Sequence, residues 1–274
     1  MKKTTLGMMM AATLLASSCL SEEQNLEPKN EGSQKGKIVL DLNTDASFSE
    51  QTRALNEADY RNTANYTVQL LQNDQVLTEC MYSEVANEFP KELEPGEYVV
   101  KAFYGVERPY SRDEFRVEGS RSVVVSKGGT SNAVVSCLPT CGKLTVVFDA
   151  AMATYYDAYS VAYKGASAFG GGAITWAKAD TDPFYVRLSA DGETLTYTIN
   201  VTAKEDYAHV DADGNKQTSG SVEGQFTLTR NGGHRLIVKP IYTATTDGGL
   251  KLEITIDDSV NPREETIVVP VDWL

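Results

Sequence analysis

From residue 36 onward, short runs of β-branched and aromatic residues follow one another, each closed by a turn signal. "YTVQLLQ", "GEYVVKAFYG", "RSVVVSK", "NAVVSCL", "LTYTINVTA", "GQFTLTR", "HRLIVKPIY" and "LKLEITID" are rich in Val, Ile, Thr, Tyr and Phe, and most alternate apolar with polar residues. That period of two puts one face of each run in a core and the other in water. Between them lie "KGGTSN", "SADGET", "DADGN", "RNGGH" and "TDGG", whose Asp-Gly, Asn-Gly and Gly-Gly pairs accept the positive φ angles of tight hairpins. Many short strands at regular spacing predict an all-β, antiparallel sandwich architecture rather than a parallel α/β sheet. One segment, Glu50 to Ala64, reads equally as a helix or as a long loop.

Nearly the same eight residues occur twice, "GKIVLDLN" from Gly36 and "GKLTVVFD" from Gly142. Each copy reads as the first strand of a sandwich, with Gly freeing the chain to turn in. The expected organisation is therefore two tandem sandwiches, residues 36–138 and 142–274, joined by the short Pro-containing stretch "LPTCG". In the first, "LEPGEYVVKAFYG" sets a Pro-Gly turn before a strand, a phrase common in immunoglobulin-like and transthyretin-like sandwiches.

The first residues have a different composition. Lys2 and Lys3 precede the apolar run Leu6 to Ala16, too short to remain as a membrane span, and then "ASSC" places small residues directly before Cys19. Residues 1–18 read as a signal peptide, and "ASSC" resembles a bacterial lipoprotein box, although Ala16 stands where Leu is commonest. That resemblance implies that Cys19 becomes the acylated first residue of the mature chain, its acyl (palmitate-type) chains anchoring it to a membrane. Residues 19–35 continue as a polar, acidic, aperiodic tether.

A formal charge of −13 argues against a nucleic-acid partner, since phosphates need clustered Lys and Arg. Of the two histidines, His209 and His234, neither sits in a metal-binding or nucleophile-activating pattern, and both are expected at the surface or a strand edge. Cys137 and Cys141 have no second pair to complete a metal site; with Cys80 they leave at least one free thiol, whether or not a bridge forms. "DADGN" lacks the later Gly and Glu of a calcium loop and reads as a hairpin turn. No cofactor, metal or catalytic residue is expected. The densest aromatic patch runs from Tyr155 to Trp176. Tyr155, Tyr156, Tyr159 and Trp176 are candidate ligand-contact residues beside a glycine-rich loop, with core filling as the alternative.

Taken together, the lipobox, the acidic tether, "TRA" at Thr52 to Ala54, the two Gly-Lys-led units and the terminal "IVVPVDW" resemble the fimbrillin-like surface lipoproteins of Bacteroidetes, and more narrowly a family of two-part β lipoproteins from these bacteria. The resemblance implies export to the outer face of the outer membrane, with Glu22 and Glu23 as the acidic export signal. It implies a candidate protease cut after Arg53 and subunit assembly by strand exchange. It also makes Ser259, within "DSV", a candidate O-glycan acceptor. The expected function is non-catalytic adhesion or fimbria-like assembly, with fimbrial subunits or a host or dietary glycan as partner. The alternative is a glycan-binding lipoprotein of a nutrient-capture system. Fimbrillin stalk subunits carry a spare terminal strand, whereas here only one terminal strand, Thr266 to Trp273, is evident, a departure that leaves a tip, anchor or independent adhesin open.

Overall fold

The computed structural model describes residues 34–46, 48, 57–90, 92–210, 213–243, 249–258 and 261–270. Cys19, Glu22, Glu23, Arg53, Ser259 and Trp273 lie outside the described residues. The fold is all-β. Seven strands precede Thr140: β1 (Lys37–Thr44), β2 (Thr67–Gln72), β3 (Gln75–Met81), β4 (Gly96–Gly105), β5 (Tyr110–Ser111), β6 (Arg116–Val125) and β7 (Thr130–Pro139). The stretch read as helix or loop forms 3-10 turns at Glu57–Arg61 and Thr63–Asn65.

Six of these strands form one sheet in the order β1-β7-β6-β4-β2-β3. β6 and β7 share only the pairs Val117↔Pro139 and Glu118↔Leu138 before β7 turns away to carry β1. The inward residues of β1 and β7 (Ile38, Leu42, Ala133, Val135, Cys137) therefore meet those of β2, β4 and β6 (Val68, Leu70, Tyr98, Val100, Val117, Val123) in one core. Between β2 and β3, Asn73 and Asp74 both take positive φ, the geometry of a tight two-residue hairpin that Asn and Asp tolerate.

After Thr140 come β8 (Cys141–Phe148), β9 (Tyr156–Lys164), β10 (Ile174–Ala177), β11 (Phe184–Arg187), β12 (Glu193–Ala203), β13 (His209–Val210), β14 (Lys216–Gln217), β15 (Ser219–Leu228), β16 (Gly233–Thr243), β17 (Gly249–Asp258) and β18 (Asn261–Pro270). A six-stranded sheet, β18-β17-β16-β8-β11-β5, packs on a four-stranded one, β10-β9-β12-β15. The core between them includes Leu144, Val146, Leu236, Val238, Leu252 and Ile254 from the first sheet, and Val161, Tyr163, Trp176, Leu195 and Ile199 from the second. The little hairpin β13–β14 encloses "DADGN", with Gly214 at φ 83°.

Two pairings depart from the antiparallel expectation, and both involve the repeated octapeptide. β1 runs parallel to β7, and β8 runs parallel to β16. In both copies the motif Lys donates its backbone N–H to a glycine carbonyl of a Gly-Gly turn: Lys37 to Gly129 at 2.8 Å, and Lys143 to Gly232 at 2.9 Å. The motif glycines are there because another chain segment presses on them. A Cβ on Gly36 would lie 2.4 Å from the Ser126 carbonyl oxygen, and one on Gly142 would lie 2.6 Å from Leu228 Cγ.

The boundary between the halves is less clean than the sequence division at 138/142. β5, from the first half, is the edge strand of the second-half sheet and pairs with β11. Tyr185, on β11, is buried in the first-half core against Phe48 and Phe115. Arg112, following β5, grips Asp180 through both terminal guanidinium nitrogens, donates to the Asp182 carbonyl at 2.7 Å and lies 3.9 Å above the Phe184 ring. A planar guanidinium suits this double duty of fork and stacked plate.

Candidate functional site

Three places in the described residues gather functional chemistry, and each sits where the chain's local pattern puts it. The first is β1, the first described strand. β1 is an edge strand, so one side of its backbone faces away from the sheet. On that side Gly36 exchanges two backbone bonds with Leu93 at 2.8 and 2.9 Å, and the Leu42 N–H is taken up locally by Asp41 Oδ1 at 3.0 Å. Beside the free edge lies an apolar groove of about 470 Å³ lined by Ile38, Val39, Leu40, Tyr82, Val85 and Phe89. Tyr82 and Val85 face it because a 3-10 turn (Tyr82–Glu84) runs directly into the single-turn helix Val85–Glu88. An open strand edge beside apolar pockets can take main-chain hydrogen bonds and alternate side chains from an added strand.

The second place is a buried ion pair at the junction of the halves. Lys143 Nζ donates to Glu57 Oε1 at 2.7 Å, and the Tyr185 hydroxyl donates to the same oxygen at 2.7 Å. Lys143 and Glu57 are 3% and 5% exposed. Lys143 alternates out of its own core on β8, and the first half covers that outer face, so a motif lysine that is solvent-exposed in β1 (Lys37) is enclosed in β8. Glu57 Oε2 has no hydrogen-bond partner. Two opposite charges sharing a dry site gain little net stability, because both lose their water. The arrangement joins the segment after β1 to the second-half sheet.

The third is the predicted aromatic patch, which the structure distributes differently. Trp176 and Tyr156 are fully enclosed and Tyr159 is buried, so these three are core residues and offer no stacking face. Trp176 donates its indole N–H to the Asp182 carbonyl at 2.8 Å and packs on Tyr163 and Phe184. The correction has a simple cause: β9 and β10 point alternate residues into the sandwich, and Tyr159, Val161, Tyr163, Ile174 and Trp176 share that phase. Tyr155 alone stays half-exposed. It joins Tyr207 and Tyr242, neither singled out from sequence, in a triangle of rings with centroids 5.0, 5.2 and 5.6 Å apart. The signal was missed because Tyr155, Tyr207 and Tyr242 are far apart in the chain and converge only through pairing.

His234 also departs from expectation. It is 1% exposed rather than at the surface. Its ring stacks on Phe226, with centroids 3.5 Å apart, and neither ring nitrogen has a hydrogen-bond partner. Burial alone pushes its pKa down from 6.5 to about 3, so it is neutral. The three described cysteines, Cys80, Cys137 and Cys141, are free thiols and buried, and burial raises all three thiol pKa values, that of Cys137 to about 12. Among the described residues no cluster of three His, Cys, Asp or Glu side chains could hold a metal.

Layered sheets, each half opened by a Gly-Lys strand parallel to a later one, define the class: an all-β sandwich-type protein with an open edge at its first described strand. A family model, "Domain of unknown function (DUF4493)", matches residues 34–271, and the chain belongs to that family. None of the curated proteins matches the sequence. Among solved structures, the chain is similar to a candidate cell adhesion protein from Bacteroides eggerthii, at 10% identity and a TM-score of 0.44, covering 83% of this chain and 97% of that one. It is similar to the fimbrial anchor protein Mfa2 from Porphyromonas gingivalis, at 10% identity and a TM-score of 0.37, covering 86% and 100%. A candidate polysaccharide-binding protein from Bacteroides thetaiotaomicron aligns at 11% identity and a TM-score of 0.40, covering 87% and 100%.

Proposed function

We propose that this protein is non-catalytic, anchored to the outer membrane through lipid on Cys19, displayed on the cell surface under the direction of Glu22 and Glu23, and used for adhesion or fimbria-like assembly. The observation that carries the reading is the open edge of β1 beside its apolar groove, directly after the acidic tether. A strand from another chain can add to that edge. If a protease cuts after Arg53, it can instead replace β1 on β7, where Ala133, Val135 and Cys137 line the vacated face. Ser259 within "DSV" is proposed as an O-glycan acceptor on the displayed chain.

Protease treatment of intact cells, with N-terminal mapping of the purified protein, tests this. Cys19→Ala should release the protein, and Glu22→Ala with Glu23→Ala should leave it lipidated but protected from external protease. A double variant digested as fully as wild type refutes the export reading. A chain starting at Ala54 and running as ladders in mild detergent identifies strand replacement. One starting at acylated Cys19 and strictly monomeric identifies a tethered adhesin. Unmodified Ser259 in the native protein's mass spectrum removes the glycan acceptor.

The glycan-binding alternative rests on the half-exposed Tyr155, Tyr207 and Tyr242 triangle, since Trp176 is enclosed. Tyrosine rings offer apolar faces and a polar edge to a sugar. Selective retention on a polysaccharide array, abolished by Tyr242→Ala, would favour it over assembly.

A further inference from the structure

β1 and β7 are paired in parallel over the whole length of β1, from Lys37↔Thr130 to Thr44↔Cys137. The bonds Lys37 N–H to Gly129 O (2.8 Å) and Asp45 N–H to Cys137 O (3.1 Å) bracket this ladder and show that odd-numbered residues of β1 donate across it. The start of β1 is stitched further. Gly36 exchanges bonds with Leu93, and Gly128 N–H donates to the Lys35 carbonyl at 3.2 Å. Ile38 and Leu42 are buried beneath the ladder.

The connectivity decides how such a ladder meets force. The tether enters β1 at its Lys37 end. The chain leaves the first half at the opposite end of the parallel pair, through Pro139 and Thr140 into β8. A pull on the tether, resisted through the second half, therefore drives β1 and β7 past each other along their own axes. In a parallel ladder the bonds are evenly spaced. Sliding strains all of them together, and none can break and be replaced by water before its neighbours. An antiparallel terminal hairpin pulled at its two free ends would instead open one rung at a time.

We propose that the β1–β7 pair is a shear clamp, a load-bearing element that keeps the first half folded when the tethered protein is pulled. The proposal rests on the reading that force enters through the N-terminal tether, in the chain uncut at Arg53. Three further features fit the role. Gly36 admits the close approach of Ser126 and Val125 that seats the strand's first residue. The buried Glu57–Lys143 pair and the Arg112–Asp180 fork bind the first half to the second, so load reaches the clamp instead of parting the halves. The residue after the clamp, Thr140, donates its backbone N–H to the Arg116 carbonyl and accepts from Leu188 N–H at its own, tying both halves at that point.

Single-molecule force spectroscopy tests the clamp without cells. In the Cys19→Ser chain, whose remaining thiols, Cys80, Cys137 and Cys141, are buried, two handle pairs apply different geometries. Gln34→Cys with Asp191→Cys loads opposite ends of the parallel pair. Gln34→Cys with Lys127→Cys loads the same end of both strands and peels them apart. All three positions are exposed. The expected result is a rupture force several-fold higher for the first pair at equal loading rate. Forced unfolding follows the unfolding rate rather than equilibrium stability, so a thermal melt cannot substitute. Val39→Pro, at an exposed donor position of β1, should lower the first force while leaving the second nearly unchanged. If that variant does not fold, the comparison of the two geometries in the wild-type background still decides. Equal rupture forces in both geometries would overturn the proposal. That outcome leaves the cell-surface reading standing, because protease accessibility on intact cells is measured independently. Conversely, a strong clamp in a protein that proves periplasmic would preserve the mechanics and remove the surface-display reading.

Discussion

His234 gives a pH dependence whose sign and size follow from its burial. In the unfolded chain its imidazole has an ordinary pKa of 6.5, and in the fold the value is about 3, with desolvation as the cause. No partner compensates either nitrogen, and the ring is pressed against Phe226 with Tyr163 and Tyr197 around it. Above the unfolded pKa neither state binds a proton there, and the residue contributes nothing to the slope of stability with pH. Below it the unfolded state takes up a proton that the folded state refuses, so stability falls as pH falls, until the folded pKa near 3 is reached. Each pH unit inside that window is worth about 1.4 kcal/mol, which comes to roughly 2–3 kcal/mol by about pH 4.5. The perturbation is His234→Phe, which keeps an aromatic ring on Phe226 and removes both unpaired nitrogens. Urea unfolding of wild type and variant, at steps from about pH 7.5 down to about pH 4.5, isolates the residue because the carboxylates titrate in both proteins. The variant should be as stable as wild type, or more so, at the upper end and should gain on it steadily below about pH 6.5. A difference in unfolding free energy that stays flat across the series would refute the reasoning. So would an imidazole that titrates with an ordinary pKa in the folded protein's NMR spectrum.

Two other substitutions probe the junction and the repeat. Lys143→Met should destabilise by about 3–5 kcal/mol in denaturant unfolding, because it strands the Glu57 carboxylate in a dry site; Glu57→Leu added to it should recover most of the loss. Gly36→Ala should cost about 1–3 kcal/mol and more than Gly142→Ala, since its new Cβ meets a backbone oxygen that cannot move aside, whereas Leu228 and Leu188 have side chains that can shift. Chemical denaturation of the two variants side by side would show the order; a larger loss at Gly142 would contradict it.

The strands were readable because alternation and Gly-rich turns act locally, and "GEYVVKAFYG" and "LTYTINVTA" became β4 and β12 essentially as written. The repeated Gly-Lys octapeptide also marked two equivalent strands. Partner choice was not readable, because the period of two says which face is buried and nothing about which strand lies alongside; hence the parallel ladders went unforeseen. Burial of charged and polar groups was hidden for a related reason. Lys143 sits in the phase of β8 that normally faces water, and only the docking of the first half encloses it, whereas His234 shares the inward phase of Leu236 and Val238 and was misplaced because its polarity, rather than its phase, was read. Trp176 and Tyr156 looked like a surface patch because their density, rather than their phase, drew attention. The Tyr155–Tyr207–Tyr242 triangle and the loan of β5 to the second-half sheet are products of distant chain segments meeting, which a linear scan cannot register. The proposed anchoring and processing residues lie in segments outside the described structure and stand on sequence alone.

The parallel ladders also govern how the protein comes to be folded. β1 waits for a partner that begins 93 positions later, at Thr130, and β8 for one that begins 90 positions later, at Gly233. Closing loops of that size costs about 4 kcal/mol of chain entropy beyond a constant, before any rung repays it. The first half therefore seals last with the strand that is made first, and long-range pairing of this kind places folding in the milliseconds-to-seconds range. During that interval Ile38 and Leu42 lie on an apolar strand without its partner, and later β8, which β11 reaches first, still lacks its parallel neighbour. A chain threaded outward from its leading end would present the first of these well before its complement arrives, and so would depend on being held apart from its neighbours until synthesis and passage are complete.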